Sequence, residues 1–303
     1  MSSLQDVELR DQQGTERAHP FRVPLAETTL RLRPTGRTFH GSLNHNVQLT
    51  DQRGRLYLLR MPQKERRHIY EHIAITYRAE GFTAPTSTYG YRSIAEQARF
   101  MHQVAHKGIR VLHPLAIAHD TSSLLMPFVQ AESLDAYLQH GGTEAVGAVL
   151  ANLTHAHHKG IVLGDRWGCN TLIMPQGIIE VDFDIVLEGP QAKEFELGKL
   201  FYHLLFYASD REQMLTYLEG YVNKERATFA KEYDLAKAQF FIRTHTEVFG
   251  ASTTVVIDPI RQRTIPPVSR EHADQLLSIL QAVQGHKQGR RLSRTTDTSV
   301  TNL

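Results

Sequence analysis

Residues Gly164 to Asp184, GDRWGCNTLIMPQGIIEVDFD, hold the side chains whose types and spacing best suit chemistry. Asp165 stands five positions before Asn170, and two short β-rich runs follow, TLIM (171–174) and IIEV (178–181). Pro175-Gln176-Gly177 between them is a tight-turn signal. At roughly 3.3 Å per residue each run covers about 13 Å, one outward and one back. The hairpin therefore returns Asp182 to the neighbourhood of Asn170. A base-type carboxylate, an amide oxygen and a second carboxylate converge on one small volume. That layout suits holding Mg²⁺ against a phosphate beside an acceptor hydroxyl. An isolated D-x-x-x-x-N is usually a turn; the hairpin and DFD after it, and the helical pattern ending at Gly160 before it, favour the functional reading.

The elements that must position these residues can be read outward. Thr28 to Met61 is strand-like: TLRLRP, NVQLT, the turn Asp51-Gln52-Arg53-Gly54, and LYLLRMP. Residues 62–90 carry no clear pattern. Ser93 to Gly108 has helical spacing, with a serine to start and a glycine to stop. Val111–Ala118 and Ser123–Phe128 read as strands. After Gln130 the pattern turns helical: SLDAYLQ, TEAVGAVLANLTHAHHKG, most of 192–251, and a last amphipathic helix from Ser269 to Gln284. Residues 1–20 read as a polar, loosely ordered arm and 285–303 as a disordered tail. The expected organisation is a strand-rich part over 21–128 and a helical part over 129–284, with a cleft between.

Composition bounds the function classes. Hydrophobic content of 41% and charged content of 22% are ordinary for a globular enzyme. A net charge of +2, from 34 basic and 32 acidic residues, gives no electrostatic case for binding nucleic acid. The single cysteine, Cys169, rules out an internal disulfide and fits a reducing compartment. The N-terminus has no apolar core of a signal peptide, and the most apolar stretch, Leu197–Ala208, is short for a bilayer. The expected location is cytoplasmic.

The motifs resemble the protein-kinase-like superfamily, in its small-molecule branch of aminoglycoside phosphotransferases, choline kinases, fructosamine kinases and lipopolysaccharide (Kdo) kinases. HKGIVLGDRWGCNTLI is similar to their catalytic loop and VDFD to their metal-binding turn. HGSLNHNVQL (40–49) resembles their phosphate loop, LYLLRMP their third strand and AEQARFMH the helix after it. The resemblance spans roughly Gly41 to Tyr207. It implies a bilobal α+β fold, with an antiparallel-sheet N-lobe and a mainly helical C-lobe. It also implies ATP- and Mg²⁺-dependent transfer of the γ-phosphate to a hydroxyl.

By resemblance, Asp165 accepts or orients the proton of the acceptor hydroxyl, and Asn170 and Asp182 hold Mg²⁺. Arg60 grips the α/β phosphates and is held by Glu96; Gly41, Ser42 and Asn44 cover the phosphates; Phe128 and Gln130 line the adenine slot. Arginine suits the phosphate role because its planar fork grips two oxygens. Bland readings stand beside these. Lys64 is an alternative phosphate cation, Glu96 fits a solvated helix face with Arg92 and Arg99, and Asn44 fits a hairpin. Leu163 stands where most of these families have a histidine that ties the loop to the metal turn. Arg166, beside Asp165, either lowers its basicity or contacts the transferred phosphate. Trp167 either walls the acceptor site or anchors the loop. Cys169 reads as a packed residue, and His155, His157 and His158 as packing and capping residues rather than metal ligands.

The segment after VDFD bears on the acceptor. DIVLEGPQ leads within about ten residues into the next helix without an A-P-E motif, leaving little room for a peptide platform. A small-molecule acceptor is expected: an amino alcohol, an aminoglycoside, a sugar or another saccharide. The helices after Asp210 and the 250–268 stretch are expected to build its pocket. The alternatives are a compact atypical protein kinase or ATPase, and a nucleotide-binding pseudokinase scaffold.

Overall fold

A computed structural model describes residues 4–10, 16–24, 31–40, 44–62, 67–84, 87–118, 123–250, 255–258 and 263–295. Its first part is a closed sheet. Strands β1 (Leu4–Arg10), β2 (Glu16–Pro24), β3 (Arg31–His40), β4 (Asn44–Thr50), β5 (Leu56–Pro62), β7 (Ala116–Ala118) and β8 (Ser123–Pro127) join in the order β1-β2-β7-β8-β5-β4-β3. Neighbours pair antiparallel, except that β1 and β3 close the barrel in parallel through Glu8↔Arg31 and Leu9↔Leu32. The β4–β5 hairpin turns at Asp51, whose carboxylate accepts the Arg53 and Arg55 backbone N–H groups at 2.8 and 2.9 Å. Its register sets Asn46 opposite Arg60. The interior between the strands is filled by Leu32, Leu49, Tyr57, Leu59, Ala116 and Leu125.

Two expectations about the chain ends are corrected. Residues 4–10 and 16–20, expected within a loose arm over 1–20, pair in β1 and β2, so the sheet begins well before Thr28. The last helix, α9 (Arg270–Thr295), runs past Gln284 into the expected tail. Gln, Lys and Arg are good helix formers and extend it without needing a core.

The segment over 62–90, unreadable from sequence, supplies α1 (Arg67–Ala79) and β6 (Thr88–Tyr91). Strand β6 pairs with β12 (Ile185–Glu188) through Tyr91↔Ile185 to Thr88↔Glu188. Tyr77 and Phe82 pack with Ile185, Leu187, Phe195 and Phe241. This segment is thereby built onto the helical part. Helix α2 (Ile94–His106) starts at Ser93, whose side chain and Glu96 form a reciprocal capping box.

The helical part comprises α3 (Leu134–Gln139), α4 (Val146–His158), α5 (Ala192–Tyr207), α6 (Arg211–Lys224), α7 (Arg226–Glu232), α8 (Leu235–Gly250) and α9. A short 3-10 helix (Gly168–Asn170) leads into the hairpin of β10 (Thr171–Met174) and β11 (Gly177–Glu180), with β9 (Glu132–Ser133) at its edge. Every residue of α5 except Lys193 is buried, which makes α5 the central rod of this part. Gly198 lets α8 close onto it, since a Cβ there would lie 2.8 Å from the Ala238 carbonyl oxygen. A charged group on such a helix must find a partner inside the protein. Glu194, Glu196, Lys199 and His203 are therefore the residues on α5 whose contacts matter most.

Candidate active site

The hairpin register Thr171↔Glu180 to Met174↔Gly177 leaves Pro175-Gln176 as a two-residue turn. The strand return sets Val181 beside Asn170, with the Val181 N–H donating to the Asn170 carbonyl at 2.9 Å. Asp182 follows at φ 63, the one described non-glycine residue in the left-handed region. Aspartate tolerates that region better than most residues, and strain there marks a constrained turn. Asn170 and Asp182 both line a cleft of about 460 Å³ between the sheet and the helical part. Its other walls include Phe39, Asn46, Leu58, Arg60, Met126, Phe128 and Leu172. Phe39 and Phe128 stack there with centroids 5.8 Å apart.

Asp165 lies in the loop between α4 and the 3-10 helix. Asn170 donates its amide N–H to the Asp165 carbonyl at 2.8 Å, and its amide oxygen faces the Cys169 thiol at 3.6 Å. The Asp165 carboxylate faces the Lys199 ammonium at 2.6 Å. Its side chain stays 14% exposed while that of Lys199 is 1% exposed, so the carboxylate remains reachable.

The loop and the metal-type turn are clamped together. Buried Arg166 donates to the Glu180 carboxylate at 2.9 Å and to the Asp182 and Val181 carbonyls at 2.9 and 3.4 Å. Arg92 donates to the Phe183 and Ile185 carbonyls at 3.1 and 2.7 Å. Gly164, at φ +112, passes so close that a Cβ would lie 2.4 Å from the Ile185 carbonyl oxygen. Glu196 on α5 accepts the Leu163 and Gly164 backbone N–H groups at 3.0 and 2.9 Å. His157 holds the same carboxylate at 2.8 Å. Leu163 itself is fully buried. The tie expected of a histidine at Leu163 is therefore supplied by Arg166, Arg92 and Glu196.

This corrects the role expected of Arg166, which is turned into the protein and is spent on Glu180 and backbone carbonyls. Glu96 is also reassigned. Its carboxylate accepts the Ser93 N–H at 2.7 Å and the Ser93 hydroxyl at 2.8 Å, on an exposed helix start. Arg60 instead pairs with Asp182 and, at 3.7 Å, with Asp184. Asn44 is buried and donates to Asp184 at 3.4 Å, joining β4 to the turn. Phe128 lines the cleft; Gln130 is exposed and is not among the lining residues. Gly41, Ser42 and Lys64 lie outside the described residues.

Trp167 stacks on His203 at 4.2 Å and meets Phe249 edge-on, anchoring the loop on α5 and α8. The expected packing role of the helix-end histidines is what the structure has. His157 sits between Glu196 and the Tyr233 hydroxyl, His155 reaches the Lys107 carbonyl, and His158 reaches Glu232. Two residues that matter at the site, Lys199 and Glu196, escaped the motif reading. Their signal was present: a lysine and a glutamate inside an otherwise apolar helix must be partnered.

Electrostatics at the turn fit a cation. Burial pushes Asp182 up, but the Arg60 guanidinium outweighs it and leaves the carboxyl below its ordinary value. Asp184 is pushed up to about 8 by burial and by the Asp182 charge. At neutral pH Asp184 is then largely protonated, leaving Asp182 as the charge that Arg60 faces and that a cation would meet. Among the described residues no three His, Cys, Asp or Glu side chains form a closed metal cage. Mg²⁺ does not need one, since it is commonly held by one or two carboxylates together with substrate phosphates. Cys169, expected as a packed residue, is exposed on the cleft wall.

No protein-family model and no curated protein matches the chain. Among solved structures it is similar to an amicoumacin kinase in complex with AMP-PNP, Ca²⁺ and Ami, at 13% identity over 82% of this chain and 88% of that one, with a TM-score of 0.41. It is also similar to the Rio2 kinase–ADP/Mg²⁺–phosphoaspartate complex from Chaetomium thermophilum, at 16% identity over 84% of this chain and 71% of that one, with a TM-score of 0.37. Both scores lie below 0.5, and the functional reading rests on the site's own geometry.

Proposed function

We propose that the chain is an ATP- and Mg²⁺-dependent phosphotransferase that acts on a hydroxyl of a small molecule. The observation that carries this reading is the meeting of Asn170, Asp182 and Arg60 at one cleft, with the reachable Asp165 carboxylate fixed five residues before Asn170. Asp182 and the Asn170 amide oxygen would hold Mg²⁺, which when bound neutralises charge on the phosphates. Arg60 would grip phosphate oxygens, and Phe39 and Phe128 offer apolar faces for a base. Asp165 would take or orient the hydroxyl proton.

A second cavity, of about 560 Å³, suits the acceptor. Its lining mixes apolar surface with the polar side chains of Gln139, Asp210, Glu212 and His272. It is built from the start of α6 and the 265–272 stretch.

Thermal melting with ATP, with and without Mg²⁺, tests the reading. The expected result is a stabilisation by ATP that requires Mg²⁺, together with ADP release stimulated by alcohols, amino alcohols or sugars. Asp165→Asn should keep the stabilisation and lose roughly 10²–10⁴-fold in turnover. Absence of any Mg²⁺-dependent nucleotide shift sinks the reading. A shift without turnover under any acceptor points to a nucleotide-binding scaffold.

A further inference from the structure

Lys199 lies outside the motifs that suggested the site, yet its ammonium is the nearest charge to the candidate base. It projects from the buried rod α5, with Nζ 2.6 Å from the Asp165 carboxylate. Three rings confine it: Tyr77 at 4.5 Å, Trp167 at 5.0 Å and Phe195 at 5.8 Å from Nζ to centroid. Those rings come from α1, the catalytic-type loop and α5, so an ammonium among them has little freedom to move. Attraction between an ammonium and ring faces adds to the hold on the side chain.

A second buried pair stands behind the first. Glu80, at the end of α1, and His245, on α8, are both fully buried, with an oxygen and Nδ1 3.2 Å apart. Burial pushes Glu80 up, but His245 and then Lys199 outweigh it and hold the carboxyl below its ordinary value. The Lys199 charge therefore acts on two carboxylates, one at the back of the box and one at its mouth.

Burial of this kind is costly. Taking an ammonium and a carboxylate out of water often outweighs their mutual attraction, and an apolar pair of similar volume commonly serves stability as well. Stability alone thus gives little reason for a lysine at this point of an apolar helix. Orientation gives one. A carboxylate on a loop can rotate, and proton transfer requires it within hydrogen-bond reach of the acceptor hydroxyl. An ammonium fixed by three rings binds one carboxylate face from inside and leaves the other toward solvent.

We propose that Lys199 is a positioning residue for Asp165, orienting the carboxylate toward the acceptor hydroxyl from within the aromatic box. This rests on the phosphotransferase reading above.

The test uses the full chain with Lys199→Met, Lys199→Arg and Lys199→Ala. Mg·ATP turnover is measured with glycerol, ethanolamine and glucose as acceptors, beside the Mg·ATP thermal shift. Lys199→Met should lose about 100-fold in kcat, the scale of a misplaced catalytic group. Its acceptor KM and nucleotide shift should stay near those of the unmodified chain. Lys199→Arg should recover part of the loss, and methylammonium should partly restore Lys199→Ala. Turnover by Lys199→Met within about threefold of the unmodified chain overturns the proposal. So does parallel loss of turnover and nucleotide shift without amine rescue, or failure of both Lys199→Met and Lys199→Arg to melt cooperatively, since each marks a folding role. An unmodified chain that binds Mg·ATP but phosphorylates none of the acceptors defeats the phosphotransferase reading itself, whatever the variants do.

Discussion

His203 shows how a buried side chain near the site is tuned by what surrounds it. It stacks under Trp167, and its Nδ1 donates to the Arg166 carbonyl at 3.2 Å. Burial, then the Lys199 and His245 charges, lower its pKa well below 6.5, so the ring is neutral in the folded protein. One nitrogen then carries the proton that the Arg166 carbonyl needs, which fixes the tautomer. The unfolded chain protonates this histidine near its ordinary value of about 6.5. Below that pH the unfolded state binds a proton that the folded state refuses, so this contribution favours folding above about 6.5 and is lost as pH falls. The expected outcome is a His203 ring that keeps its neutral-form NMR shifts from pH 8 down to pH 5 while the fold persists. A ring that titrates near 6.5 in the folded protein contradicts the assignment.

At the scale of elements, the hairpin was legible because its signals are local. Two β-rich runs and a Pro-Gln-Gly turn are enough to bring Asp182 back to Asn170, and the strands fall within one residue of the reading. Helix α2 was legible for the same reason, whereas the Arg60 partner that the resemblance implies for Glu96 gives way to the local capping box with Ser93. Helix α1 was illegible because its buried Tyr77 answers to Phe195 and Phe241 more than a hundred residues later. Glu196 is the sharpest case of a long-range tie. Its two oxygens accept two loop N–H groups and His157, all inside the protein, so the loop's shape depends on a helix that follows it. Glu196→Gln keeps the volume but turns one acceptor into a donor facing a donor. Breaking a buried charged contact of this kind costs about 3–5 kcal/mol. Urea unfolding should show a loss of that size. A loss under about 1 kcal/mol would mean that Arg166 and Arg92 hold the loop without it.

Across the whole molecule, the α+β division follows the sequence, but the two parts are linked more closely than a simple cleft suggests. Helix α1, between two strands of the sheet part in the chain, builds the wall behind Asp165 on the helical part. Arg60 on β5 reaches across the cleft to Asp182 and Asp184, and Asn44 on β4 reaches Asp184. On the proposed function, Arg60 pairs with the charge that a metal ion would meet and is also the cation proposed to grip phosphate. These two roles oppose each other when the nucleotide is absent. Removing the guanidinium leaves two acidic groups without that partner, which favours a divalent ion alone. It also removes a charge-assisted contact to phosphate, worth about 1.5–3 kcal/mol or roughly 10–100-fold in affinity. Arg60→Met should therefore bind Mg²⁺ alone more tightly than the unmodified chain, and Mg·ATP more weakly. Calorimetric titration with each separates the two effects. Weaker binding of both would mean that Arg60 holds the cleft open rather than balancing its charge. Unchanged Mg·ATP affinity would move the phosphate cation elsewhere on the sheet.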